Sequence, residues 1–447
     1  MRKKMHQTGK FFSFILLGLG CLCLISGGIL IGRQMSATPK AESSAPEEVP
    51  YEQEKITDAE VTGEFYYEQL SDEEQTVYRE ILQGIQENKK EIYLHCSNAN
   101  TANEVFQNVL NDRPEIFWCD GNATSTEYSQ SEGQSRYVVI EPNYLYEGEE
   151  KEQRNQEIES ARTSCLSGIS DLSDEYEKIK YIYTYLIDNV DYDLDAPDNQ
   201  NIYSALVGKR SVCAGYAKSC QYLLQQLGIY CIYVTGQTTD PNGGVADHAW
   251  NIVQCNGQYY YVDATWGDPI FLGEDNGYQI PNLIAYDYLC CSEKELEKTH
   301  MISTDYVYPS CQSENLNYYQ LNGMYYDTYE PGMLREVIDR SIESQEAYTI
   351  FKMSDDAVYQ EIVDEMHETL MEEGAGYLGE LYGLWQVSYS YSEEASLNKF
   401  IIYWFYQKKI VGRTICPLSF YLQRRFQIVS RNVCRKLFTK QFIFFAF

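Results

Sequence analysis

The sequence contains no Cys-x-x-Cys pair and only five histidines, so the ligand spacing of structural zinc sites and of dithiol redox motifs is missing. A zinc cluster could be assembled from His300 and Cys311, or from Cys290 and Cys291, only by ignoring that spacing, and no metal or other cofactor is expected. Basic residues are also scarce, 35 Lys and Arg against 66 Asp and Glu, for a net charge of -31. That balance excludes nucleic acid and anionic membrane surfaces as partners of the folded part, and favours solubility and basic substrates. Cysteine is present but dilute. Ten of the 14 lie between Cys96 and Cys311, a spread compatible with disulfides outside the cell but too sparse for a stapled scaffold. Cys220, Cys231 and Cys255 sit in apolar patterns and read as small buried hydrophobes.

Long apolar runs are equally rare, with one exception. Phe11 to Ile31 are 21 residues without a charge, preceded by Arg2, Lys3, Lys4 and Lys10. At about 1.5 Å per residue the run can cross a hydrocarbon layer of roughly 30 Å, and its basic flank belongs on the cytoplasmic side. Residues 1–33 are therefore expected to form a single-pass transmembrane anchor, with the rest of the chain extracellular. Two processed forms stay open as alternatives: secretion after cleavage near the weak site Met35–Ala37, and lipid attachment at Cys21. Residues 34–62, rich in Pro, Ser, Ala and Glu, read as a flexible linker. The far end reverses the charge, with nine Lys or Arg and no Asp or Glu in residues 405–447. This basic tail reads either as a poorly structured, disordered extension or as a cationic contact with the envelope or the acidic domains.

Between these ends the patterning is mixed α and β. Ser71 followed by Glu74 makes a capping box, and Tyr78, Ile81, Leu82 and Ile85 recur at helical spacing, which predicts a helix over 71–88. A second helix is expected over Asn103–Asn111, and the strings EIFWCDG and RYVVIEPNY read as strands, giving an N-terminal α/β region over 63–160. Residues 312–404 read as a C-terminal α/β region, with helices at Pro331–Ser344 and Asp355–Glu373 and strands in TIFKM and LWQVSYSYS. Nothing in it constitutes a second active site.

The chemistry concentrates in residues 161–311, after a helix that begins near Ser173. Ala217, Cys220, Leu224 and Leu227 follow Cys213 at helical spacing, and Gly228 closes that helix. Cys213 thus sits at a helix N-terminus, where N–H groups and the helix dipole favour thiolate over thiol and can stabilise an oxyanion beside the sulfur. The strand IYCIYVTG comes next. Asn256-Gly257 is a two-residue type I′ turn signal between NIVQC and QYYYVDAT. That turn faces Cys255 with Gln258 and, by counting back, Trp250 with Asp263. His248 then lies on the same face as Asp263, offset by two residues, at a diagonal of roughly 7–8 Å that a carboxylate and an imidazole can bridge. A thiol, a base and an acid that orients the base are the parts needed to form a thioester with a carbonyl compound. Each also has a plainer explanation: a buried cysteine, a satisfied core histidine, and an aspartate that caps the chain entering TWGDP.

At the strings SVCAGYAKSCQYLLQQLGI, DHAWNIV and NGQYYYVDATWGDP the sequence resembles the transglutaminase-like superfamily of papain-like cysteine enzymes, bacterial extracellular type. The resemblance covers about Ser173 to Pro269. It implies an α+β fold, a transglutaminase-like/papain-like core in which the helix bearing the nucleophile packs against an antiparallel sheet. It also implies Cys213 as nucleophile, His248 as general acid/base and Asp263 as its orienting partner. The usual glycine two residues before the cysteine is Ser211 here. A side-chain oxyanion donor is left among Gln200, Asn201 and Tyr203, and Tyr192, Trp250, Tyr259 and Trp266 are candidates for a peptide groove as much as for core. The implied activity is hydrolysis or amine transfer at amide bonds of a peptide, protein or peptidoglycan-peptide substrate at the cell envelope. The alternative is a noncatalytic envelope-associated binding or scaffold protein that retains the domain. Oligomeric state is not legible.

Overall fold

Capping chemistry decides where the helices begin. In the computed structural model, which describes residues 49–129, 136–169, 173–239, 243–268, 283–384, 386–406 and 436–443, the Ser71 N–H donates to the Glu74 carboxylate at 2.9 Å, and helix Asp72–Gln86 follows. Tyr78, Ile81, Leu82 and Ile85 are all buried, as the spacing predicts. The second helix starts earlier than expected, at Ala99, because Asn98 accepts from the Asn100 and Thr101 N–H groups. Of the string EIFWCDG, Cys119, Asp120 and Gly121 open the strand Cys119–Ser129, which runs on into the polar stretch, whereas residues 115–118 lie outside it in turns and irregular backbone. Helix Gly148–Leu166 has no counterpart in the sequence reading, since it buries only Ile158 and Cys165 and shows almost no amphipathic signal.

The central sheet is antiparallel, in the order Gln258–Val262, Val245–Cys255, Cys231–Thr239, His300–Ile302. Helix Cys213–Gln226 packs against Cys231–Thr239 and Val245–Cys255. Buried Asn251 ties the layers together by donating to the carbonyls of Ala217 on the helix, at 3.0 Å, and Ile232 on the sheet, at 3.2 Å. One apolar cluster runs from Ile56 through the N-terminal helices to Leu223, Val253 and Cys290. The change of region placed near residue 160 therefore falls within a shared core.

Two segments at the ends differ from the sequence reading. Of the linker expected over residues 34–62, the part before residue 49 lies outside the described residues, and in 49–62 Ile56 and Val61 are buried while Glu54 and Asp58 both pair with Arg79 at 2.5 Å. Two apolar side chains and these ion pairs are enough to dock the segment on helix Asp72–Gln86. Within the basic tail, Lys436–Ile443 pairs with Gln386–Glu394 as an edge strand, because that strand would otherwise leave a row of backbone groups unpaired. The anchor at Phe11–Ile31 lies outside the described residues. Among the described residues no helix is long and apolar enough to cross a membrane.

The C-terminal sheet, in the order Tyr325–Tyr326, Tyr348–Met353, Lys399–Phe405, Gln386–Glu394, Lys436–Ile443, is backed by helices Pro331–Glu343 and Met371–Tyr382. It meets the rest of the molecule through a buried ionic cluster. Asp287 accepts from Lys352 at 3.0 Å, from Tyr319 at 2.9 Å and from Lys399, while Lys352 also pairs with Glu295 at 2.9 Å and Lys399 with Glu394 at 2.8 Å. Deleting Asp287 would take one carboxylate from each of two buried ammonium groups, leaving Lys352 with Glu295 and Lys399 with Glu394. Asp287→Ala is expected to lower stability by about 3–5 kcal/mol, read as a fall in the urea midpoint, and an unchanged midpoint would show that the cluster is dispensable.

Candidate active site

Asp263 follows strand Gln258–Val262 and precedes the one-turn helix Ala264–Gly267. Its Oδ1 accepts from the N–H groups of Thr265 and Trp266 at 2.8 and 3.2 Å. Its Oδ2 lies 2.6 Å from His248 Nε2 and 3.0 Å from His300 Nε2. Capping and orienting, which looked like competing explanations for this residue, are thus done by different oxygens of one carboxylate.

The hairpin supplies the register that brings His248 there. Asn256 and Gly257 have φ of 51° and 76°, the left-handed values a type I′ turn requires, and Cys255 pairs with Gln258. Asn251 pairs with Val262, so the next position along sets Trp250 opposite Asp263 and leaves His248 on the same face, as the count from the turn predicts. With Nε2 committed to Asp263, the other ring nitrogen is the one available to Cys213, which lies close enough to act electrostatically on the imidazole. Cys213 is the first residue of its helix and packs with Ala217, Tyr233 and Ala249. The first N–H groups of that helix have no intrahelical acceptor, which leaves donors beside the sulfur.

Ser211, which stands where the resemblance leads one to expect glycine, is fully buried and structural. Its hydroxyl lies 2.7 Å from both the Asn199 carbonyl and the Ser204 hydroxyl, bracing the turn that delivers Cys213. Gly215 allows the approach, because a Cβ there would meet the Ser211 side chain and come within 3.1 Å of the Asn199 carbonyl.

Charge follows this geometry. Burial disfavours the His248 imidazolium, but the negative charge of Asp263, the interaction with Cys213 and the hydrogen bond that His248 donates to Asp263 outweigh it and raise the pKa from 6.5 to about 10. Burial likewise opposes ionisation of Asp263, and the charge of His248 with the two imidazole hydrogen bonds holds it well below the usual carboxylate range. His300 goes the other way: burial lowers its pKa despite Asp263, and the nearby His248 charge adds to the effect. The arrangement is therefore an imidazolium and a neutral imidazole sharing one carboxylate.

Of the proposed oxyanion donors, Asn201 is used as a helix cap for Tyr203 and Ser204 and as a donor to the Phe117 carbonyl, and Tyr203 donates to Glu157 at 2.6 Å. Tyr192 and Trp266 border the site, packing on the Cys213 cluster and lying 6.2 Å from His248 respectively. Trp250 is fully buried core, and Tyr259 lies toward the turn end of the hairpin against Tyr230. His300 is the residue that sequence reasoning missed in this role. Donor atoms of His248, Asp263 and His300 lie within 4.8 Å of one another, the spacing of a three-ligand metal site, although contacts of 2.6 and 3.0 Å already satisfy all three as hydrogen bonds. All ten described cysteines are free.

Residues 164–264 match the profile of the transglutaminase-like superfamily. The chain is 29% identical over 115 residues to the kyphoscoliosis peptidase of Mus musculus, and 28% identical over 131 residues to that of Homo sapiens. These alignments cover 22% and 25% of this chain but only 17% and 20% of the two peptidases. Among solved structures, a TGase overlaps 36% of this chain and 55% of its own, at 12% identity and a TM-score of 0.23. The periplasmic domain of TgpA from Pseudomonas aeruginosa overlaps 30% and 54%, at 18% identity and a TM-score of 0.21. Scores this far below 0.5 leave the domain assignment to the sequence match.

The raised His248 pKa fixes the sign of a pH effect. A group raised on folding contributes stability that is fully present below its ordinary 6.5 and is lost as pH climbs through about 10. The stability advantage of the wild type over His248→Gln, read from urea midpoints, is expected to shrink across that interval. An advantage that grows toward pH 10 would contradict a charged His248.

Proposed function

We propose, on the premise of a transglutaminase-like domain at residues 164–264, that this protein forms a thioester at Cys213 from peptide or protein amides and passes the acyl group to water or to an amine. The observation that carries the reading is the pairing of His248 with Asp263 at 2.6 Å, with Cys213 near enough to act electrostatically on the same imidazole. In the proposed cycle the Cys213 thiolate attacks the amide carbonyl carbon, and the resulting oxyanion lies against N–H groups at the start of helix Cys213–Gln226. His248 gives its proton to the leaving nitrogen as the C–N bond breaks, which leaves a thioester and a neutral imidazole. His248 then takes a proton from water or from an incoming amine, whose oxygen or nitrogen replaces sulfur, and the thiolate–imidazolium pair returns. Asp263 keeps its charge throughout and orients the ring. No step calls for a metal.

The net charge of -31 favours basic peptides or proteins as substrates, and an anchor at Phe11–Ile31 would hold the domain outside the cell membrane, within reach of envelope peptides. A noncatalytic binding role is favoured by one specific observation: Cys213 and His248 are only 1% and 5% exposed, so the thiol is closed to a large substrate in this conformation. A peptide library offered both water and a primary amine separates these readings by mass spectrometry. Hydrolysed or amine-bearing products that vanish in Cys213→Ala are expected. Absence of products with the wild type, together with full biological function in Cys213→Ala, would favour the binding role.

A further inference from the structure

Asp263 holds a second histidine that the proposed chemistry does not use. We infer that His300 is a positioning residue for the Cys213–His248–Asp263 group: it fixes the carboxylate plane that orients His248, and the hydroxyls of Thr299 and Tyr288 fix His300 in turn. The inference rests on the proposed role of Cys213 and goes beyond it by adding a residue that touches neither sulfur nor substrate.

The chain of donors closes in one direction. Ionised Asp263 can only accept, so the His300 proton sits on Nε2, 3.0 Å from Oδ2. A neutral ring then leaves Nδ1 as an acceptor, 2.8 Å from Thr299 Oγ1. The Thr299 hydroxyl has a longer alternative, the Leu296 carbonyl at 3.5 Å, so its proton goes to the imidazole. The Tyr288 hydroxyl, 2.9 Å from Thr299 Oγ1, donates last. Tyr288 is also tied to Asp263 through the backbone, its carbonyl accepting the Asp263 N–H at 3.0 Å. The loop from Asp263 through His300, Thr299 and Tyr288 back to Asp263 is thus closed by hydrogen bonds.

Packing fixes the ring as well. His300 is boxed by Trp266, Trp250 and Tyr288, with ring centroids at 4.9, 5.0 and 5.1 Å. Strand His300–Ile302 reaches this place because Gly236 faces Ile302 in the adjacent strand. A Cβ at Gly236 would strike the Met301 carbonyl and come within 2.7 Å of the Trp250 ring. With Oδ1 already held by two backbone N–H groups, His300 determines what the other oxygen can do. It supplies a second donor that keeps Asp263 charged, and it blocks rotation of Oδ2 away from His248.

The test uses the full chain and the second-order rate of Cys213 alkylation by iodoacetamide at neutral pH, located by mass spectrometry, with half-buried Cys96 as internal reference. His300→Leu is expected to slow Cys213 about tenfold, the equivalent of about one pKa unit, with Cys96 unaffected. His300→Gln, whose amide can donate to Asp263 and accept from Thr299, is expected to restore most of the rate. Thr299→Val, which removes the donor to Nδ1, is expected to fall between. A folded His300→Leu protein with the wild-type rate would overturn the inference, and so would His300→Gln as slow as His300→Leu, since shape alone would then explain the loss. Should His300→Leu fail to fold, an unchanged rate in Thr299→Val overturns it. His248→Leu separates the two levels. A normal Cys213 rate in that variant defeats the thioester reading itself, whereas loss there with no loss in any His300 or Thr299 variant defeats only the role of His300.

Discussion

The arrangement of the site depends on saturating one buried carboxylate. Asp263 is 1% exposed, a position where an ionised group without partners would cost several kcal/mol. It has four partners: two backbone N–H groups on one oxygen and two imidazoles on the other. The backbone bonds fix where the carboxylate stands, because they are also the cap of the Ala264–Gly267 turn. The imidazoles fix its charge and plane. Because the histidines come from strands on opposite sides of Cys231–Thr239, this one group pins both outer parts of the central sheet to the loop between them.

Local rules made the first half of this site readable. A two-residue turn with left-handed φ at both positions has one register, and period-two alternation carries that register eight residues back from Asn256 to His248 and six forward from Gly257 to Asp263. Helix periodicity after Cys213 placed the sulfur at a helix start for the same reason. His300 had no such signal. It reaches Asp263 across 37 residues of chain, on a three-residue strand whose pairing with Gly236–Thr238 depends on a missing side chain rather than on a pattern. Residues 49–62 misled for a related reason. Their composition is that of a tether, but two apolar residues and a well-placed arginine on a neighbouring helix outweigh composition.

The C-terminal region looks unrelated to the chemistry in the sequence, yet it abuts the site's supports. Lys352 and Lys399 of its sheet bind Asp287, and the next residue, Tyr288, gives its carbonyl to the Asp263 N–H and its hydroxyl to Thr299. The carboxylate that orients His248 is therefore one residue removed from the ionic junction between the two halves of the molecule. Buried ion pairs contribute little net stability against apolar replacements but are costly to break on one side, which suits them to fixing a docking geometry.

The central claim is that one carboxylate holds two histidines in different charge states, and histidine nitrogen chemical shifts report those states directly. With only five histidines in the chain, 15N-labelled imidazoles can be assigned by single substitutions. At pH 8 both nitrogens of His248 should carry protons, since its pKa is raised to about 10, while His300 should show one protonated and one bare nitrogen. A His248 that titrates near 6.5, or a His300 that is doubly protonated at pH 8, would contradict the account.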